Sequence, residues 1–217
     1  MWEVERLLSE CKELPQILLM ENVTQVHGKK NKQHFDKWCA FLESKGYHNY
    51  WQDLNAKHYG IPQNRNRCFM VSVLSDKKYE FPKPAALKKV LSDLLEPESD
   101  IDERFYNVSH SMIRALESGS VADVTNRRFS NAITTRQSRW SSAGMVCIGR
   151  PRYFTPLECF RLMGFADGDF YKAQQALNEK YYRGKIRSDS QLYKQAGNSI
   201  VVNVLENIFK NFIDILK

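Results

Sequence analysis

The sequence predicts an α/β fold in which part of a sheet domain is followed by a small, loop-rich domain and a helical return. Three observations carry this. The run ILLM (Ile17–Met20) is short, apolar and unbroken, as expected of a strand buried on both faces of a parallel sheet. The segments around it have apolar residues recurring at helical spacing. The texture then changes at Asp76–Pro84, where FPKP marks a junction and regular periodicity stops.

Residues 2–14 place Leu7, Leu8, Cys11 and Leu14 on one side of a helix, and Pro15 follows. Asn31 is positioned to cap a second helix, with Phe35, Trp38, Cys39 and Leu42 inward and Gly46 beyond its end. Tyr47–Leu54 and Arg67–Leu74 suit strands, separated by a turn at Gly60-Ile61-Pro62. Residues 92–103 (SDLLEPESDIDE) are acidic and expected at the surface. From there to Gly149 polar residues, arginines and short apolar pieces follow one another without a period. Order returns at Thr155-Pro156-Leu157-Glu158. Thr at the cap, Pro in the first helical position and Glu in the third form a capping box, and the helix stops near Gly164. Ser199–Leu216 reads as a last amphipathic helix. The expected divisions are 1–79, 80–150 and 151–217, the last helix returning to the first domain.

A chain of 217 residues, 42% hydrophobic, with 12 Phe, 10 Tyr and 4 Trp, has the material for a core and is not a disordered composition. No apolar run approaches the ~20 residues of a membrane span. The acidic N-terminus lacks the basic and then apolar regions of a secretion signal, so a cytoplasmic protein is expected. The five cysteines (Cys11, Cys39, Cys68, Cys147, Cys159) are widely spaced and form no CxxC or Cys/His pairing, so reduced thiols and no metal are expected. The net charge is +7 and unevenly placed. Between Val124 and Leu157 lie Arg127, Arg128, Arg136, Arg139, Arg150 and Arg152, without one Asp, Glu or Lys. Guanidinium forks suit phosphates and guanine edges, which points to nucleic acid. A solvated basic surface is the plainer alternative.

Three stretches could carry chemistry. Glu21 ends the apolar run, and the carboxyl ends of strands are where open α/β sheets bind ligands. A carboxyl there can move a proton, or it can be an ion-pair partner or a helix cap. In NAKHYGIPQNRNRCFMV (residues 55–71), Gln63, Arg65 and Arg67 alternate and are expected to share one face, as a binding edge or as a charged edge strand. In QLYKQAGNSIVVNVLENIF (residues 191–209), Gly197-Asn198-Ser199 precedes a helix, as an anion site or simply as its cap.

Together and in this order, these stretches resemble the cytosine-5 DNA methyltransferase family. ENV (Glu21–Val23) resembles that family's motif VI, and QNRNR (Gln63–Arg67) its QxRxR motif VIII. RYFTPLECFRLMGF (Arg152–Phe165) resembles motif IX, and YKQAGNSIVVNVL (Tyr193–Leu205) motif X. WEVERLL is similar to the end of motif V. The resemblance spans the whole chain, with the variable target-recognition region at 80–150. It implies the C-terminal part of a Rossmann-like methyltransferase sheet with a target-recognition domain. The family flips a cytosine out of duplex DNA and transfers a methyl from S-adenosylmethionine to C5. By resemblance, Glu21 binds the base edge and assists attack at C6. Arg67 contacts the base oxygen, Arg65 supports the base and catalytic loop, and Asn198 and Ser199 help close the cofactor pocket. One departure is Leu157, which stands where motif IX usually has Arg.

Motifs I to IV have no counterpart here: there is no Phe-x-Gly-x-Gly loop and no Pro-Cys nucleophile. The chain alone is therefore expected to hold an incomplete S-adenosylmethionine site and to be inactive. A complementing N-terminal methyltransferase chain, as in a split enzyme of a restriction-modification system, would supply the rest; a truncated remnant is the other situation that fits. A DNA-binding module without catalysis and a tRNA methyltransferase are the rival readings. Within the recognition region, TTRQSRW (Thr134–Trp140) is compact and basic. Arg136, Gln137 and Arg139 are the expected contacts to double-stranded DNA, from a loop suited to the major groove, with Arg127 and Arg128 on phosphates.

Overall fold

The computed structural model describes residues 2–106, 108–137, 143–183 and 189–216. In chain order the helices and strands are α1 (Trp2–Glu10), β1 (Ile17–Val23), α2 (Lys32–Ser44), β2 (His48–Asn55), β3 (Gln63–Asn64), β4 (Asn66–Val73), α3 (His110–Glu117), β5 (Ser130–Asn131), α4 (Pro156–Arg161), α5 (Asp167–Tyr182), α6 (Asp189–Asn198), α7 (Val202–Lys210) and α8 (Ile213–Leu216). They fall into two units. The first is Met1–Asn55, Asn66–Lys83 and Glu206–Lys217, and the second is Ala56–Arg65 and Pro84–Leu205.

The first unit is built on a three-stranded sheet in the order β1-β4-β2, antiparallel throughout. The expectation for Ile17–Met20 is corrected here: the strand runs on to Val23, is antiparallel, and is half-buried instead of buried. The reason is position. β4 takes the central place and is buried along nearly its whole length, while β1 pairs on one side only among the described residues. Leu18, Met20, Cys68 and Met70 project from one face and pack with Phe35, Trp38 and Leu42 of α2 and Leu8 of α1. Burying such side chains contributes roughly 1.5–3 kcal/mol each. α1 stops at Glu10, sooner than its sequence pattern suggests, and Leu14 reaches the same core from the connecting loop. Asn31 stands at the start of α2 but its side chain does not cap it; Nδ2 donates to Gln25 O at 2.8 Å instead. Gly46 follows α2 at φ +91°, a backbone state that costs glycine little. Further along the unit, Tyr79 donates its hydroxyl to Ile208 O and meets Phe212 edge-on.

The second unit has little sheet, a two-residue parallel pairing of β3 with β5. One of its cores gathers Met112, Val121, Met145 and Tyr153. The capping box of α4 forms as its spacing predicts. Glu158 N donates to Thr155 Oγ1 at 3.1 Å and Thr155 N to Glu158 Oε2 at 2.9 Å. Glu158 also holds the fully buried Arg152 in a two-point ion pair, 2.9 and 3.0 Å. The acidic stretch at 92–103 is not simply surface: Glu98 turns in to Arg152 at 2.8 Å and accepts from the Tyr106 hydroxyl. Glu96 accepts from the Thr155 hydroxyl. Leu157 is buried, which suits the apolar side chain it carries. Gly197 and Asn198 lie in the last turn of α6, and the following helix begins only at Val202.

Candidate functional site

Cross-strand register brings Glu21 and Arg67 together. Glu21 is opposite Phe69 and Val23 is opposite Arg67, so Glu21 and Arg67 are diagonal neighbours on one face. Arg67 Nε lies 3.3 Å from Glu21 Oε1, and both side chains are about one-fifth exposed. The contact lacks hydrogen-bond geometry, so the buried Oε1 has charge beside it but no hydrogen bond. Arg67 Nη1 donates to Asn66 O at 2.8 Å, which holds the guanidinium at the strand end. Glu21 also lines a groove of about 370 Å³ with Val4, Leu18, Met20, Asn22 and Trp38. Residues from both faces of β1 contribute, which places the groove along that strand's outer edge. A buried acceptor without a donor is uncommon and costly, and Glu21 keeps the capacity to accept one more hydrogen bond.

Gln63 and Arg65 do not join this pair, contrary to the shared face their alternation suggests. β3 ends at Asn64, and both side chains turn into the second unit, where they are buried. Gln63 Nε2 donates to Leu162 O at 2.6 Å and its Oε1 accepts from Ile133 N at 2.9 Å. Arg65 donates from Nη1 to Ile133 O at 2.9 Å and from Nη2 to Gly197 O and Ser199 O at 3.2 and 3.1 Å. One guanidinium thus ties the strap around Ile133 to the end of α6. The strap and α6 are in such close contact that a Cβ on Gly197 would sit 2.3 Å from Thr135 N.

Asn198 is exposed at that helix end, while the Ser199 hydroxyl is committed to Gln195 O at 2.6 Å. Among the arginines, Arg127, Arg128 and Arg136 are exposed. Arg128 also donates to Leu87 O. Gln137, expected as a DNA contact, is wholly buried and has no surface to offer a duplex in this arrangement. Arg139 lies outside the described residues. Arg150 and Arg152 are taken up by Glu103 and by Glu98 and Glu158. Glu103 and Glu98 lie 47 and 54 residues from the arginines they hold, while Glu158, six residues beyond Arg152, falls just outside the acid-free window. Gly197, expected ahead of a helix, instead lies within α6 against the strap, an approach that no spacing signals. The glycine beside a helix end in QAGNS was the available hint.

The thiols offer no activated nucleophile where their ionisation is perturbed. Burial pushes Cys39 and Cys159 up, Cys68 up to about 12 and Cys147 up to about 11, the reverse of what thiolate attack requires. No described helix is long and apolar enough to cross a membrane.

The family model for C-5 cytosine-specific DNA methylases matches residues 1–214. Among curated proteins, the chain is 36% identical to the type II methyltransferase M2.ScrFI of Lactococcus lactis subsp. cremoris, over 97% of this chain and 57% of that protein. It is 32% identical to the type II methyltransferase M.Bsp6I of Bacillus sp., over 92% of this chain and 67% of that protein. The chain thus spans little more than half the length of the first of these relatives. Among solved structures, the S. pombe Dnmt2 methyltransferase superposes with a TM-score of 0.76 at 20% identity, covering all of this chain and 73% of that one. The Entamoeba histolytica methyltransferase EhMeth gives 0.75 at 20% identity, over 99% and 68%. These likenesses bear on the fold, which is that of Rossmann-like methyltransferases. On the match over almost its whole length, the chain belongs to the C-5 cytosine-specific DNA methylase family.

Proposed function

We propose that this chain carries the base-binding and DNA-recognition parts of a DNA (cytosine-5-)-methyltransferase of a restriction-modification system. One observation supports it above the others: the buried Oε1 of Glu21, beside Arg67 and without a hydrogen bond, at the end of β1. On this reading a flipped cytosine brings the missing partner groups. Glu21 hydrogen-bonds the base edge at N3 and the 4-amino group, which helps drive attack at C6. Arg67 faces the 2-oxo group. Arg65 and Gln63 act by fixing the strap, and Arg65 also by holding the end of α6.

S-adenosylmethionine would supply the methyl group, and Asn198 and Ser199 would form one rim of its pocket. Their fit is partial, since the Ser199 hydroxyl already bonds Gln195 O. The cysteine nucleophile and the remaining cofactor contacts come, on this reading, from sequence outside these 217 residues, on a complementing methyltransferase chain. Arg127, Arg128 and Arg136 would meet double-stranded DNA. Their exposure also suits a second reading, a DNA-binding module without catalysis.

Tritiated methyl transfer from S-adenosylmethionine to duplex DNA separates these. The chain is assayed alone and co-expressed with the reading frame immediately upstream. Transfer by the pair only is the expected result. Transfer by the chain alone would place the nucleophile among its own five cysteines and overturn the division of labour proposed here. Silence in both, with salt-sensitive duplex binding, would favour the binding module.

A further inference from the structure

Three side chains unrelated by any sequence motif meet beside the end of β1. His27 closes the 3-10 turn Thr24–His27 that follows this strand. Asp53 of β2 and Cys68 of β4 are direct cross-strand partners, so they project from the same face of the sheet. His27 Nε2 lies 2.9 Å from Asp53 Oδ1. One ligand atom from each of the three, including the Cys68 sulfur, falls within 4.8 Å of the others. Cys68 is wholly buried, while His27 and Asp53 keep 25% and 30% of their side chains exposed. The cluster is therefore closed toward the core and open outward, where His27, Phe35 and Trp51 line a groove of about 410 Å³. The imidazole is held in place by Trp51, 4.7 Å away between ring centres, and by Phe35 edge-on.

We propose that His27, Asp53 and Cys68 form a zinc site, with water in the fourth position on the groove side. The donor set is one nitrogen, one oxygen and one sulfur, which suits a borderline-soft ion and disfavours magnesium or calcium. Charge also balances: a neutral imidazole, a carboxylate and a thiolate offset the two charges of the ion. Loading forms the metal–sulfur bond and breaks the S–H bond of Cys68, whose proton goes to solvent. Bonds of roughly 2.0–2.3 Å in a tetrahedron need ligand atoms closer than the widest separation here, so binding draws the three together by about 1 Å. Side-chain rotation of Asp53, which keeps 30% of its side chain exposed, supplies most of that movement. The ligands come from the turn after β1, from β2 and from β4, and Asn22, next to Glu21, is the other cross-strand neighbour of Cys68. A bound ion would pin the end of β1 that carries Glu21.

The test uses metal-free protein of the full chain carrying Cys11→Ser, which removes an exposed thiol as a background ligand. Zinc is titrated against a chromophoric chelator, and cobalt is added separately for its thiolate charge-transfer absorption. One zinc per chain is expected, with the cobalt band lost in Cys68→Ser. His27→Gln and Asp53→Asn are each expected to weaken zinc by about 100-fold or more, at or beyond the upper end of losing an outer-shell partner. His27→Gln lies outside the buried core, so an unchanged circular dichroism spectrum there excludes unfolding as the cause. Zinc binding that survives all three substitutions, or no stoichiometric binding in the parent, would overturn the site and leave a hydrogen-bonded His–Asp pair over a buried thiol.

Discussion

Glu21 and Arg67 sit diagonally across the β1–β4 ladder with 3.3 Å between Oε1 and Nε, close enough for charge but not aligned for a hydrogen bond. This leaves the carboxyl held in place with bonding capacity to spare. Glu21→Gln keeps the shape and removes the proton donor. In a complemented enzyme, methyl transfer is expected to fall by about 100-fold or more, the usual reach of a general acid, with melting behaviour unchanged. Transfer within a few-fold of the parent would remove Glu21 from the chemistry.

Arg152 and Glu158 make the most buried ion pair among the described residues. Burial by itself lowers the Arg152 pKa, but the two-point bond to Glu158 more than reverses this, so the guanidinium stays charged. Glu158→Gln strands part of that charge. A loss of about 3–5 kcal/mol is expected in urea denaturation, toward the lower end because Glu98 still holds Arg152. A loss under about 1 kcal/mol would mean the pair is relieved by rearrangement.

Glu98 predicts an acid dependence. Burial works against its ionised form, but bonds from Arg152 and the Tyr106 hydroxyl outweigh that and hold the carboxyl below its ordinary value. A depressed carboxyl stabilises fully above the unfolded pKa, about 4.3, and the contribution is lost as pH falls through the lower folded value. Glu98→Gln should therefore be less stable than the parent near neutrality, and the gap should close in acid. A gap independent of pH would assign the loss to packing.

Gly197 shows what the strap demands. Its backbone is helical, so alanine would ordinarily be tolerated or mildly favourable. Here a Cβ would meet Thr135 N at 2.3 Å and Thr134 C at 2.4 Å, both backbone atoms that cannot swing aside. Gly197→Ala is expected to cost about 1–3 kcal/mol and to loosen the carbonyls that Arg65 holds, measured by denaturation and by amide exchange at Ile133–Thr135. An unaffected or stabilised protein would contradict the close approach.

Arg136 and Gln137 are neighbours with different fates, one exposed and one buried. In a reconstituted enzyme Arg136→Ala should weaken duplex binding by about 1–3 kcal/mol and relax sequence preference at one base pair. Gln137→Ala should act on stability instead. Weaker binding with an unchanged preference would make Arg136 a phosphate contact.

Local signals were readable without the fold. The capping box at Thr155–Glu158 needs only four consecutive residues, and it forms as written. The inward face of α2 follows from helical period, and the order of ENV, QNRNR and the last two stretches already pointed to the family. What the sequence could not settle depends mostly on partners far along the chain. The acid-free window from Val124 to Leu157 suggested six arginines available for nucleic acid, yet Arg150 and Arg152 are taken by Glu103, Glu98 and Glu158. Alternation placed Gln63, Arg65 and Arg67 on one face, yet the strand breaks after Asn64 and the first two are buried in another unit. The spacing of single residues also hid His27, Asp53 and Cys68, which only the antiparallel register assembles. Sequence determined the motifs because they rest on contacts between near neighbours. Tertiary structure decided which charges remain free, because a charge is spent on whatever opposite charge the fold brings within a few ångströms.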